Sequence, residues 1–217
     1  MVDCVFTPYV ERMSASLFYY KGFTMRDPDR FPNVCRWFDG MESLEAYRGT
    51  QSDFHTHVHD LPPQMGGCYH YVGGLEKQIE NQQRVDAGPW VGLPDTGLAD
   101  PEDSVDLALA RVLLHKDSLI RANPAGQAAD EPLRCALTAM LTGEQVAPET
   151  EGADAALRYI RDRVNVPRDM PLWSARHLRS ALENTAQLAG PASGPPIPVK
   201  HRRDQSPATF HGGDAKF

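Results

Sequence analysis

Two stretches decide the fold class: residues 3–23, DCVFTPYVERMSASLFYYKGF, and residues 30–49, RFPNVCRWFDGMESLEAYRG. In the first, Phe6, Tyr9, Val10, Met13, Leu17 and Tyr20 recur at helical spacing and predict a helix over 5–21 with one apolar stripe. Asp3 or Thr7 caps it, Thr7-Pro8 being a local start signal, and Gly22 closes it. In the second, Pro32 opens a helix that runs to Tyr47, with Val34, Trp37, Phe38, Met41 and Leu44 facing inward. Bulk at this spacing means core, so Trp37, Phe38 and Met41 are expected to be packed.

Outward from there the helical pattern repeats. Residues 48–68 read as a loop, because Pro62-Pro63 and Gly66-Gly67 interrupt any regular element. A third helix is expected over 69–84 through Val72, Leu75 and Ile79, then an irregular connector over 86–101. Asp103 or Ser104 caps a helix carrying Val105, Leu109, Val112, Leu113 and Ile120. Another runs from Pro132 to Gly143, a sixth over 151–164, and a last over 174–188 with Ala175, Leu178, Ala181 and Leu182 inward. No run alternates with the period of a strand, so the fold class is all-α. From Ala189 on, nine of 29 residues are Gly or Pro, and large apolar residues are few. Such a segment cannot offset its chain entropy by burial, and a disordered tail is expected over 189–217. Its basic Lys200–Arg203 cluster serves solubility, or a weak contact with an acidic partner.

Composition narrows the function classes. The net charge of −7 disfavours nucleic acid as a partner, since phosphate binding needs clustered Lys and Arg. No apolar run is long enough for a membrane span, and no secretory signal is read at the N-terminus. Cys4, Cys35, Cys68 and Cys135 form no CxxC pair, which argues against a zinc ribbon or a dithiol redox motif. A soluble, intracellular protein with reduced thiols is expected. Cys4, beside a helix start, is the thiol that a helix N-terminus would activate.

Two sets of residues could carry chemistry. His55, His57 and His59 in FHTHVHD, read in an extended loop, would point to one side and could bind Zn²⁺ or Cu²⁺. Loop histidines that pack on helices are the plainer reading, because no strand pattern surrounds them. Tyr9, Arg12 and Met13 lie on the first helix. Tyr9 and Met13 read as part of its buried stripe, and Arg12 as pairing with an acidic neighbour such as Asp39.

The chain also resembles a known family. Residues 3–70 are similar to the later part of the C-terminal helical domain of glutathione transferases. Asp3 matches an Asp in the first turn of that domain's central helix. Phe31-Pro32, Trp37, Met41 and Tyr47 match the helix that follows. The continuation SDFHTHVHDLPPQMGGCYH, at 52–70, looks like a subgroup from photosynthetic organisms. ALRYIRDRVNVPRDM at 156–170 and ARHLRSALE at 175–183 look like that subgroup's C-terminal extension.

The resemblance implies a partial helical domain over 1–85, the connector 86–101 and a helical extension over 102–188. It places Tyr9, Arg12 and Met13 beside the pocket for the apolar electrophile, and this part of the chain at a dimer interface. A homodimer or another protein partner is therefore expected, in the cytoplasm or a plastid. The family's thioredoxin-like domain supplies the glutathione site, and no counterpart is read in these 217 residues. Transfer to glutathione needs a thiolate, and a free thiol has a pKa of about 8.5, so a donor must be aimed at the sulfur. The expectation is a truncated chain with no independent transferase activity and no cofactor of its own, glutathione being expected only for full-length relatives. A metal-binding protein using His55, His57 and His59, and a non-catalytic interaction subunit, are the alternatives.

Overall fold

A computed structural model describes residues 2–65 and 75–191, with the side chains of 61–65 left aside. Among the described residues the chain is all-helical, with no strand. They divide into two compact units, one of residues up to 98 and one from 99 on. The division falls inside the expected connector.

The first unit holds α1 (Val2–Lys21), α2 (Pro32–Glu42), α3 (Glu45–Arg48), α4 (Phe54–Met65) and α5 (Glu76–Ala87). Helix α1 packs against both α4 and α5. Its buried face is Thr7, Ser14, Ala15, Phe18 and Tyr20; of the expected stripe only Tyr20 is buried, with Val10 and Leu17 half-buried. Phe6, Tyr9 and Met13 are instead 57, 65 and 47 % exposed. Small residues at 14 and 15 let two neighbouring helices approach α1 closely, which Phe6 or Tyr9 would prevent. Pro8 lies inside the helix rather than at its start.

The expected loop over 48–68 is also corrected. Asp53 Oδ1 accepts a hydrogen bond from the Thr56 amide at 2.9 Å, which caps the start of α4. Phe54 and Val58 then bury beside Ala15 and Phe18. A cap and an apolar face thus outweigh the breaker residues at 62 and 63. The second expected helix is divided, since α2 ends at Glu42 and Leu44 is exposed. Within α2, Phe38 and Glu42 are buried, whereas Trp37 is only half-buried and donates to Asp3 Oδ1 at 3.0 Å. The expected start of the third helix, with Val72, lies outside the described residues. Leu75, just before α5, and Ile79 within it face outward, while Gln78, Asn81 and Val85 are buried. Asn81 Nδ2 donates to the Phe18 carbonyl at 3.0 Å, tying α5 to α1.

Residues 88–98 have no regular element but pack into this unit. Trp90 and Leu93 join its core, and Trp90 Nε1 donates to the Val85 carbonyl at 2.9 Å. Gly88 permits that close return: its φ is +83°, and a Cβ there would lie 2.8 Å from the Trp90 ring. A buried ion pair fixes the end of the segment. Arg26 donates to both Glu42 oxygens, at 2.7 and 3.0 Å, and Gln51 Nε2 and the Gly97 amide donate to the same carboxylate. Burial opposes charge on Glu42, but the Arg26 hydrogen bonds and charge hold its carboxyl below the usual range.

The second unit holds α6 (Ser104–Ala122), a 3-10 turn (Gly126–Ala129), α7 (Asp130–Thr142), α8 (Ala153–Arg161) and α9 (Leu172–Leu188). Here the helical periodicity located each element to within a few residues. Helix α9 packs against α6, α7 and α8 and buries Ala175, Leu178, Ala181 and Leu182 as expected. On α6 the inward stripe is Ala108, Val112 and Ile120, while Leu113 faces solvent. Glu183 of α9 accepts from Arg158 at 3.0 and 3.1 Å and from Arg161, so one carboxylate joins two arginines of α8. Of the expected tail, residues from 192 on lie outside the described part. No helix among the described residues is long and apolar enough to cross a membrane.

Candidate functional site

The three histidines lie on a helix, and helix geometry separates them. A turn of 100° per residue sends His57 about 200° round from His55 and brings His59 back to within about 40°. The rings of His55 and His59 accordingly meet, tilted by 57° with centroids 4.6 Å apart. His59 Nε2 donates to Asp86 Oδ1 at 3.0 Å, and the Tyr19 hydroxyl donates to Asp86 Oδ2 at 2.8 Å. Burial, then the Asp86 charge, pushes the Tyr19 hydroxyl well above its ordinary range, so it stays a donor. The extended geometry that would have placed three imidazoles on one side is therefore not formed. Among the described residues no group of three His, Cys, Asp or Glu side chains is placed to hold a metal ion.

His57 faces a different neighbourhood. Its Nε2 is buried, makes no hydrogen bond, and lies 3.9 Å from Glu11 Oε2 of α1. Tyr47 of α3 donates to Glu11 Oε1 at 2.7 Å. The side chains of His57 and Glu11 are only 14 and 13 % exposed. Burial raises the Glu11 carboxyl to about 7, against the opposing Tyr47 hydrogen bond and Arg12 charge. Burial likewise lowers His57 to about 4, with Asp53 acting against it and Arg12 adding to it. The pair at 3.9 Å is thus not an ion pair in mild acid; a protonated carboxyl meets a neutral imidazole. Tyr47 is held above its ordinary range by burial and by Glu11. Burial thus places a carboxylic acid beside a neutral imidazole, brought together by α1, α3 and α4.

The expected substrate-side residues sit on the other side of α1. Tyr9, Arg12 and Met13 are exposed, and Val2, Val5 and Phe6 extend the same face, with Val2 68 % and Val5 57 % exposed. Core packing of Tyr9 and Met13 is therefore corrected. Arg12 makes no hydrogen bond or ion pair with a described residue, because Asp39 faces Arg26 at 3.9 Å instead. Cys4 is exposed in the first turn of α1.

Glu11 and Tyr47 were not singled out from the sequence as site residues. A second stripe at helical spacing, Thr7, Glu11, Ser14, Ala15 and Phe18, carries the contact, but its small and polar members give a weaker hydrophobic signal than Phe6, Tyr9 and Met13. In the sequence Tyr47 marks a helix end and belongs to the resemblance, and neither points to Glu11. Comparisons with family models, with curated proteins and with solved structures returned no match.

Proposed function

We propose that the chain is the helical, electrophile-side part of a glutathione-transferase-like protein, without transferase activity of its own, and that α1 presents a surface for a second polypeptide. The observation that carries this reading is the outward face of α1. Val2, Val5, Phe6, Tyr9 and Met13 follow one another at helical spacing and are all about half exposed or more. A contiguous apolar stripe of this kind on one helix marks an interaction surface. It coincides with the residues, Tyr9 and Met13, that the resemblance sets beside the electrophile pocket. The helices offer an apolar wall to such a substrate. Activation of a thiol needs a donor or positive field aimed at the sulfur, and the reading assigns that task to another domain.

The test is an assay of the purified full chain with glutathione and a chlorinated aromatic electrophile. The expected rate equals the uncatalysed one, and saturable turnover above it overturns the reading. In the same preparation, sedimentation should show concentration-dependent association that a Phe6→Glu/Tyr9→Glu variant loses. A native chain that stays monomeric, at every concentration reached, would count against the docking face.

A further inference from the structure

The second unit contains an open cavity of about 340 Å³, formed by one face of α6, the end of α8, the 164–170 link and Leu178 of α9. That volume lies at the low end of the range for small-molecule sites, about 300–1,000 Å³. Its floor is apolar and buried, with Val112, Met170 and Leu178 among its members. Its mouth carries Arg111, His115, Arg163 and Arg168 against a single carboxylate, Asp169. On a chain of net charge −7 this is a local reversal of sign.

The carboxylate does not neutralise the whole rim. Asp169 accepts from Arg168 at 2.8 and 3.0 Å and from the Asn165 amide at 2.8 Å, so it is committed within its own loop. Arg163 lies over the Tyr159 ring, 3.5 Å from its centroid. Arg111 and His115, one turn apart on α6, make no hydrogen bond or ion pair with a described residue. A greasy floor with an unengaged guanidinium at its edge matches an amphipathic anion. The planar fork of Arg favours a carboxylate, which it can hold through two hydrogen bonds.

We propose that this cavity binds a small organic carboxylate with an apolar body, its carboxylate on Arg111 and its body over Val112, Met170 and Leu178. The small volume excludes a dinucleotide or a long acyl chain lying wholly inside.

Calorimetric titration of the full chain with octanoate tests this, with octanol and acetate as the apolar and anionic halves of the probe. Octanoate should bind saturably at one site, and octanol and acetate each at least about tenfold more weakly, the factor one charge-assisted hydrogen bond supplies. Arg111→Ala should weaken octanoate by about tenfold. Ala122→Trp, at an exposed position lining the cavity, should remove binding by filling it. Both positions face solvent, and unchanged helical circular dichroism will verify the fold. Absence of saturable octanoate binding, equal affinity for octanol, or wild-type affinity in both variants would overturn the proposal.

Discussion

Replacing Glu11 by Gln should stabilise the protein above neutral pH and leave it unchanged in acid. In the folded chain burial raises this carboxyl from 4.5 to about 7. Between those two values the folded state holds a proton that the unfolded state has lost. Stability from this group is therefore complete below pH 4.5 and is lost as pH rises through 7. A shift of this size corresponds to about 3 kcal/mol, at about 1.36 kcal/mol per unit. Gln carries no charge and still offers an oxygen to the Tyr47 hydroxyl, so the variant should gain up to about 3 kcal/mol at pH 8.

His57 works in the opposite sense. Its folded value of about 4, against 6.5, favours the neutral ring, so its contribution grows as pH rises from 4 to 6.5. In the native chain the two slopes offset each other where their windows overlap. In the Gln variant only the rising slope remains. Urea denaturation at pH 4.5, 5.5, 6.5 and 8, followed by tryptophan fluorescence with Trp90 in the first unit's core, will read this out. With a urea slope of about 1–3 kcal/mol per molar, the pH 8 midpoint should move up by about 1 M or more. A midpoint difference between native and variant chains that is the same at every pH would refute the reasoning.

In the second unit, Glu183→Ala should cost about 3–5 kcal/mol, because it leaves Arg158 and Arg161 without the carboxylate they share. A thermal midpoint within a degree or two of the native one would mean the arginines find other partners. Asp53→Ala should cost about 1 kcal/mol through loss of the cap on α4, and Asp53→Asn should recover most of it. Equal denaturation midpoints for the Ala and Asn variants would remove the cap from that account.

The sequence by itself determined that the chain is helical, and it located α6, α7, α8 and α9 closely. Periodic Leu, Ile and Ala with clear ends such as Gly143 leave little choice there, since Gly143 sits in the left-handed conformation that favours glycine. Tertiary structure decided which face of each helix is covered. Hydrophobic periodicity reports that a stripe exists, but the neighbours that cover it come from distant parts of the chain. On α1 the small residues at 14 and 15 won the core because helices pack closely over them, and Phe6, Tyr9 and Met13 were left outside. The same holds for the histidines. Their alternation has the period of a strand, and only the Asp53 cap and the burial of Phe54 and Val58 wound it into α4, which turns His57 away from His55 and His59. Glu11, Tyr47 and His57 meet because three helices converge, and no local pattern in sequence encodes a meeting across such separations.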